Sequence, residues 1–162
     1  MFWHNVLVGA AVGGGTALLM SAWTKWIHRR YVDPLPYPNK ELASDVHQTR
    51  LVTIDCGPDK AILAARDAVA SVPKSKCLRM AGRKLEARIG MTMRSFGEVI
   101  AVRVDTADSG KSNLSIESRP RYSGTTLDQG KNYENVERIV AHLGRTNGVS
   151  LVAANAARPQ DK

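Results

Sequence analysis

The sequence predicts an α+β fold, in which a single N-terminal transmembrane helix is followed by a small domain with an antiparallel β-meander and two helices on one face. Three observations support this prediction. An apolar run without a charged side chain extends from Val6 to Trp23. Three later stretches alternate apolar and polar residues with the period of a strand that has one wet face. Two further stretches repeat apolar residues at helical spacing.

The apolar run is long enough for a membrane anchor over residues 1–30, since a bilayer-spanning helix needs about 18 or more predominantly apolar residues. Trp3 and Trp23 stand 20 residues apart. At about 1.5 Å per residue this is roughly 30 Å, the thickness of the hydrocarbon core. Tryptophans at both ends of a span favour the lipid–water interfaces. The residues expected at the membrane interfaces are Trp3, Trp23, Trp26, Lys25, Arg29 and Arg30.

The charge asymmetry of the flanks predicts how this span is oriented. No Lys or Arg precedes the run, whereas Lys25, Arg29 and Arg30 follow it. Because positive residues stay on the cytoplasmic side, we expect a single-pass protein with its N-terminus outside and its C-terminal domain in the cytoplasm. A cleaved signal peptide is the competing interpretation, but it carries its basic residues before the apolar run.

Small residues four positions apart within the run predict a strip on which another helix can pack closely. The strip consists of Gly9, Gly13, Ala10, Gly14, Ala17 and Ser21. We therefore expect membrane lipid and other transmembrane subunits of a larger complex to be the partners. Glycine is also common in membrane helices in general, which is the alternative explanation.

A proline-rich linker is predicted over residues 31–45. Pro34, Pro36 and Pro38 alternate there, and proline restricts both its own backbone and that of the preceding residue to extended geometry. The α+β domain is assigned to residues 46–152. The last stretch, 153–162, is expected to be a flexible tail.

The first half of the domain is predicted to contain a strand and a helix. Residues 51–54 (LVTI) form a short apolar run, and Gly57-Pro58-Asp59 has the features of a helix start. The buried stripe of that helix is predicted to comprise Ile62, Ala65, Val69 and Val72.

In the second half of the domain, apolar residues that recur at every second position predict the meander, and apolar residues that recur at every third or fourth position predict the last helix. The inward positions of the meander are predicted to be Leu85, Ala87, Ile89, Met91, Ile100, Val102, Val104, Leu114 and Ile116. A strand around residues 78–80 is expected to extend the first stretch. The helix is predicted from Val136, Ile139, Val140 and Leu143, with Asn132 as its cap and Gly144 as its end. Residues 149–152 are expected to form an added edge strand.

Two segments, RSFGEVIAVRV (94–104) and TTLDQGKNYENVERI (125–139), resemble small membrane-tethered α+β domains of uncharacterised bacterial and plastid families. In those families a Ser-aromatic-Gly-Glu turn opens a strand, and an Asp-x-Gly-Lys-Asn turn opens the last helix. The resemblance covers about half of the chain. It implies a fold and membrane association, but no activity.

The formal net charge of +8 indicates an anionic neighbour. Arg88, Arg103, Arg119 and Arg121 are candidates for a basic surface that binds phosphate groups or acidic loops of a partner. A simply solvated charged face explains these residues equally well. Nucleic acid is disfavoured as the partner, because aromatic side chains that would stack on bases are scarce on these strands.

No motif indicates catalysis, a metal site or a cofactor. Gly110-Lys111-Ser112 lacks the glycine that a phosphate-binding loop requires at position 105. Cys56 and Cys77 lack CxxC spacing and are predicted to be ordinary thiols. The sequence therefore predicts a non-catalytic accessory subunit that stabilises a larger membrane complex, such as an energy-transducing or photosynthetic one. The alternative is a membrane-tethered domain that binds a lipid or a small ligand.

Overall fold

The computed structural model describes residues 19–107, 110–146 and 151–156. The chain divides into two compact units, Met1–Pro36 and Tyr37–Lys162. In the first unit, residues 19–31 form helix α1. Across the part of the chain that the structure describes, no helix combines the length and the apolar character needed to cross a bilayer. Most of the predicted span lies outside the described residues.

The second unit is an antiparallel sheet with two α-helices, and with α1 it confirms the predicted α+β class. Its elements in chain order are a 3-10 helix Lys40–Ser44, β1 Gln48–Ile54, α2 Pro58–Ala70, β2 Ser75–Ala81, β3 Lys84–Ile89, β4 Glu98–Thr106, β5 Ser112–Pro120, α3 Lys131–Leu143 and β6 Leu151–Ala156. The strand order is β2-β3-β4-β5-β1-β6, and every neighbouring pair is antiparallel.

Helices α2 and α3 contact each other and pack on one face of the sheet. The predicted stripe of α2 is buried at all four positions, Ile62, Ala65, Val69 and Val72. Pro58 occupies the first turn of this helix, where its missing N–H leaves no hydrogen bond unmade. The alanines on α2 let the helix approach the sheet closely, and Val136, Ile139 and Leu143 of α3 complete the core.

The meander alternates as predicted, with the apolar residues of β3, β4 and β5 turned toward the helices. Met91 is an exception, because β3 ends at Ile89 and the Met91 side chain is exposed. The apolar residues near position 78 do not extend β3. They belong to β2, a separate strand that pairs with β3 across the turn at Gly82.

The start of α3 differs from the prediction that Asn132 caps it. The cap is Gly130, whose φ of 71° is a left-handed conformation that suits glycine, and Asn132 lies inside the first turn. The Asp128 carboxylate accepts hydrogen bonds from the backbone N–H groups of Gly130 (3.1 Å) and Asn132 (2.7 Å). Asp128 therefore does for this helix what a capping side chain does. Gly144 is the C-terminal cap, as predicted.

The proline-rich stretch and the C-terminal stretch both contain more regular structure than predicted. Helix α1 reaches residue 31, and the 3-10 helix Lys40–Ser44 buries Ala43. The hydroxyl of Tyr133 on α3 donates a hydrogen bond to the carbonyl of Pro38, which fixes the start of the second unit. Strand β6 extends to Ala156 and pairs with β1. Residues 157–162 lie outside the described part.

Candidate functional site

Helix α1 carries the described part of the predicted membrane-interface set. The rings of Trp23 and Trp26 stack with centroids 5.3 Å apart, and about half of each side chain is exposed. Lys25, Arg29 and Arg30 are exposed on the same helix. Of the predicted packing strip, Ser21 is described, and it is exposed. The predicted residues Trp3, Gly9, Ala10, Gly13, Gly14 and Ala17 lie outside the described residues.

The predicted basic surface falls on the sheet face opposite to the one on which α2 and α3 pack, which we call the open face. Arg88 of β3 and Arg119 of β5 are both paired in register with Val99 of β4, so they flank it. Arg103 lies four residues further along β4 on the same face, a distance of roughly 13 Å at 3.3 Å per residue. All three arginines are exposed. They share a face without forming one compact cluster.

A shallow concavity of about 700 Å³ lies on the open face, between β2 and β5. Its floor includes the small side chain of Ala101, which stands in register between Glu86 and Glu117. The charged lining residues are Arg79, Lys84, Arg103, Glu86, Asp105 and Glu117. Three are basic and three are acidic, so this concavity does not select a simple anion.

Arg121 lies apart from the other three arginines, beyond the end of β5. Its guanidinium carbon stands 5.8 Å from the centroid of the Tyr122 ring, within the range of a cation–π contact. Its backbone N–H donates to the carbonyl of Gly97 at 3.0 Å. Arg121 therefore belongs to a pair of loops at one end of the sheet, where a second group of charged residues lies.

This second group, which we call the buried polar cluster, surrounds the first turn of α3 and was not predicted from the sequence. Its members are Arg94, Ser95, Glu98, Ser118, Asp128, Lys131, Asn132, Glu134 and Asn135. The guanidinium of Arg94 contacts the Glu134 carboxylate at 2.5 Å and donates to the carbonyl of Gln129 at 2.7 Å. Lys131 (3.4 Å) and Arg138 (3.1 Å) also contact Glu134. Nearby, a buried ion pair joins Arg50 of β1 to Glu137 of α3 at 2.7 Å.

The buried polar cluster shifts the protonation equilibria of its members in different directions. Burial alone would raise the pKa of Glu134, but Lys131 and Arg94 outweigh it and hold that pKa below the ordinary value. Burial lowers the pKa of Lys131, with Glu134 opposing the shift. Burial raises the pKa of Asp128, although the hydrogen bonds from Asn132 and Gly130 oppose it.

Glu98 is the most completely buried carboxyl group of this cluster. Burial raises the pKa of Glu98, and the hydrogen bond from Ser95 is the largest opposing influence. Its Oε2 atom and the Oδ1 atom of Asn135 are both buried and form no hydrogen bond with the described residues. Both atoms are acceptors while the carboxyl group is ionised. A proton on Glu98 would make its carboxyl group a donor as well as an acceptor.

The cluster joins two loops to the start of α3. Within the described ranges, no group of three His, Cys, Asp or Glu side chains is placed to bind a metal ion. Cys56 is buried in the core, and burial raises the pKa of its thiol, so it is poorly suited to act as a nucleophile. The motifs RSFGEV and LDQGKN mark the cluster in the sequence. Their charged residues meet only in the folded domain.

No protein-family model matches the chain, and a search of curated proteins finds none with significant similarity to it. The resemblance to membrane-tethered domains of bacteria and plastids therefore stays a prediction.

Proposed function

We propose that the protein is a non-catalytic, single-pass accessory subunit that stabilises a larger membrane complex. The observation that carries the proposal is the exposed surface of α1. Two stacked tryptophans, Trp23 and Trp26, are followed there by the basic residues Arg29 and Arg30. Aromatic rings and then positive charges are the order found where a helix leaves a bilayer toward the cytoplasm. The apolar run before Trp23 supplies the anchor.

In this proposal the domain covers a cytoplasmic surface of another subunit with its open face. Among the described residues, the side chains of Arg79, Arg88 and Arg103 form no ion pair and no hydrogen bond. Glu86 stands opposite Arg79, and Glu86 and Glu117 lie in the row of residues between the rows of Arg88 and Arg103. A pattern of alternating charges favours a protein surface of complementary charge over a uniformly anionic partner such as nucleic acid, since like charges brought together oppose binding.

The first experiment tests the anchor strip by purifying the tagged full chain from its native membrane in mild detergent. Gly9→Leu combined with Gly13→Leu places two bulky side chains on the strip and is expected to remove the co-purifying subunits. Val12→Leu, within the same predicted span but outside the strip, is the matched control and should retain them. Isolation of the wild-type chain alone, or equal co-purification by the two variants, would contradict the proposal.

The second experiment tests the open face. Arg103→Glu reverses one charge there, whereas Arg66→Glu reverses an exposed charge on α2, on the other side of the domain. We expect Arg103→Glu to weaken retention of the partner subunit at moderate salt and Arg66→Glu to leave it unchanged. The opposite ranking would assign the docking surface to the helices.

A membrane-tethered lipid- or small-ligand-binding domain is the second candidate. The concavity around Ala101 favours it, because its volume of about 700 Å³ falls within the range of about 300–1,000 Å³ typical of small-molecule sites. Its position on the open face differs from a site between helices and sheet, where apolar side chains fill the core. Native mass spectrometry of the full chain released from detergent tests this candidate. A retained small molecule that Ala101→Trp abolishes would favour it over the accessory subunit.

A further inference from the structure

The loop between β3 and β4, residues 90–97, has the reverse of the polarity expected for a solvated loop. Met93 is 98% exposed and Phe96 is 68% exposed. Between them, the charged side chain of Arg94 turns inward to Glu134 and Gln129. A large apolar surface held in water while a charge is buried calls for a physical reason, since single exposed apolar residues are common but contiguous ones mark contact sites.

A second loop, residues 121–127, extends this surface. Tyr122 and Leu127 are exposed there, and a groove of about 550 Å³ between the two loops is lined by Met91, Phe96, Tyr122 and Leu127, together with small residues. We call Met91, Met93, Phe96, Tyr122 and Leu127 the apolar rim. Four of these residues line the same groove, and the fifth, Met93, lies in the loop between Met91 and Phe96.

The rim is held in place by the buried polar cluster. Arg94 ties the first loop to the start of α3, and the N–H of Arg121 donates to the carbonyl of Gly97, which ties the two loops together. Gly97 has a φ of 98°, and a Cβ atom at this position would lie 2.8 Å from the carbonyl oxygen of Ile89. The backbone conformation at Gly97 therefore admits no side chain, and hydrogen bonds hold both loops that carry the rim.

The rim lies at the same end of the domain as Pro38, near the start of the second unit. Strands β3 and β5 end there, and β1 and β4 begin there, as their antiparallel register requires. Pro38 is bound at the same end by Tyr133 in the first turn of α3. Between the end of α1 at residue 31 and Tyr37, the chain can span at most roughly 20 Å. If a membrane holds the N-terminal segment, the short connection keeps this end of the domain within reach of it.

The charges around the rim suit an anionic surface. In residues 90–97 and 119–130 the one carboxylate belongs to Asp128, which is buried, whereas Arg119 and Arg121 are exposed. Apolar side chains with cations beside them match the headgroup region of a bilayer that contains anionic lipid. A protein partner would not require the absence of exposed carboxylates.

We propose that the apolar rim is a second membrane contact, in which Met93 and Phe96 enter the lipid–water interface of the bilayer that holds the N-terminal anchor. The inference rests on the proposed function, because it requires that anchor. The contact would fix the orientation of the domain on the membrane and leave the open face directed toward a neighbouring subunit.

The test places an environment-sensitive fluorophore at position 93 of the full chain, in Met93→Cys with Cys56→Ala and Cys77→Ala. The protein is reconstituted into vesicles of phosphatidylcholine and phosphatidylglycerol, with or without lipids that carry a nitroxide quencher near the headgroup. The matched control carries the same fluorophore in Arg83→Cys, at the turn between β2 and β3 on the opposite end of the sheet. We expect a blue-shifted emission and a loss of fluorescence at position 93, and neither change at position 83.

Flotation of the vesicles separates the failure of this inference from that of the proposed function. If the chain floats with vesicles but position 93 is not quenched, the second contact is wrong and the anchor stands. If the chain does not float, the anchor itself is wrong. A blue shift at position 93 without quenching would mean that protein covers the rim, for example residues 1–18 or another subunit, and would also overturn the inference. A fluorescent amino acid incorporated at position 93 gives the same readout with both cysteines retained, should their replacement prevent folding.

Discussion

Two regions of the domain, the open face of the sheet and the end that bears the apolar rim, differ in which side chains they expose to water. On the open face, Arg88 is exposed and Glu117 is half-exposed, and the apolar residues of the same strands turn inward. At the rim, Arg94 and Glu134 are buried against each other while Met93 and Phe96 are exposed. The first arrangement needs no partner to be stable in water. The second leaves apolar side chains exposed to water, and a bound surface would remove that exposure.

This contrast shows that the number of charged residues on a surface does not indicate how much they contribute to the stability and local geometry of the fold. Exposed ion pairs such as Arg119 with Glu117 contribute little, since solvent and salt screen them. The buried polar cluster holds two loops and a helix start in one geometry. Breaking it leaves uncompensated charge in the interior.

The largest difference is expected between Glu134→Gln and Glu117→Gln. Glu134→Gln removes the negative charge shared by Arg94, Lys131 and Arg138, and we expect it to lower the free energy of unfolding by about 3–5 kcal/mol. Glu117→Gln removes an exposed pair and should cost about 0–1 kcal/mol. Urea unfolding of the full chain in mild detergent, followed by circular dichroism, measures both. Equal effects would mean that the two regions do not differ as described.

A smaller effect is expected from Gly97→Ala, which tests how closely the scaffold of the rim is specified. The positive φ and the nearby carbonyl oxygen of Ile89 leave no room for a Cβ atom, so we expect a loss of about 1–3 kcal/mol. Gly124→Ala, in the neighbouring loop, meets no atom within 4 Å and is the control. The same urea titration applies. A neutral Gly97→Ala would show that this loop adjusts freely.

The pH dependence of stability offers a finer test, because Glu98 and Glu134 act in opposite directions. The pKa of Glu98 is raised in the folded state. Its contribution to the free energy of unfolding is therefore present at low pH and is lost as the pH rises from about 4.3, the ordinary pKa of Glu, through the raised pKa. The lowered pKa of Glu134 means that its contribution is lost as the pH falls through it. Glu98→Gln should therefore gain stability relative to wild type as the pH is raised. A constant difference across the range would show that Glu98 does not titrate as inferred.

The smallest effect is expected from Arg103→Ser on the open face. Its side chain makes no ion pair or hydrogen bond with the described residues, so the free energy of unfolding should change by less than about 0.5 kcal/mol. The urea midpoint of this variant should match that of wild type, even where retention of a partner subunit is reduced. A large loss of stability would indicate that the open face contributes to folding, and would remove the contrast with the rim.

The parts of the fold that could be predicted are those in which local periodicity and burial agree. The stripe of α2 and the alternation in β3, β4 and β5 follow from apolar residues at regular spacing, and the structure confirms them. The predicted ends of the helices and strands were wrong where contacts with distant parts of the chain determine them. Asn132 has the chemistry of a cap, but Gly130 takes the left-handed position and the carboxylate of Asp128 binds the free N–H groups.

The candidate site was predictable only in part, and for a physical reason. The exposure of Arg88, Arg103 and Arg119 on one face follows from strand alternation within single segments. The pairing of Arg94 with Glu134 joins residues that are 40 positions apart in the chain. No local pattern indicates whether an arginine in a loop points to water or into the protein. The apolar rim was not predicted either, since no local pattern in residues 90–97 indicates whether Met93 and Phe96 are exposed or buried.

The hydrogen bond between Tyr133 and Pro38 has a mechanical consequence. A force applied to the chain N-terminal to Pro38 reaches this bond before it reaches β1. We therefore expect part of the force to pass into the first turn of α3, which the Asp128 carboxylate and the ion pairs of Glu134 hold in place, before it acts on the pairing of β1 with its neighbours. Tyr133→Phe would keep the ring in the core and remove the latch. In single-molecule pulling from the N-terminus it should lower the force at which the domain gives way.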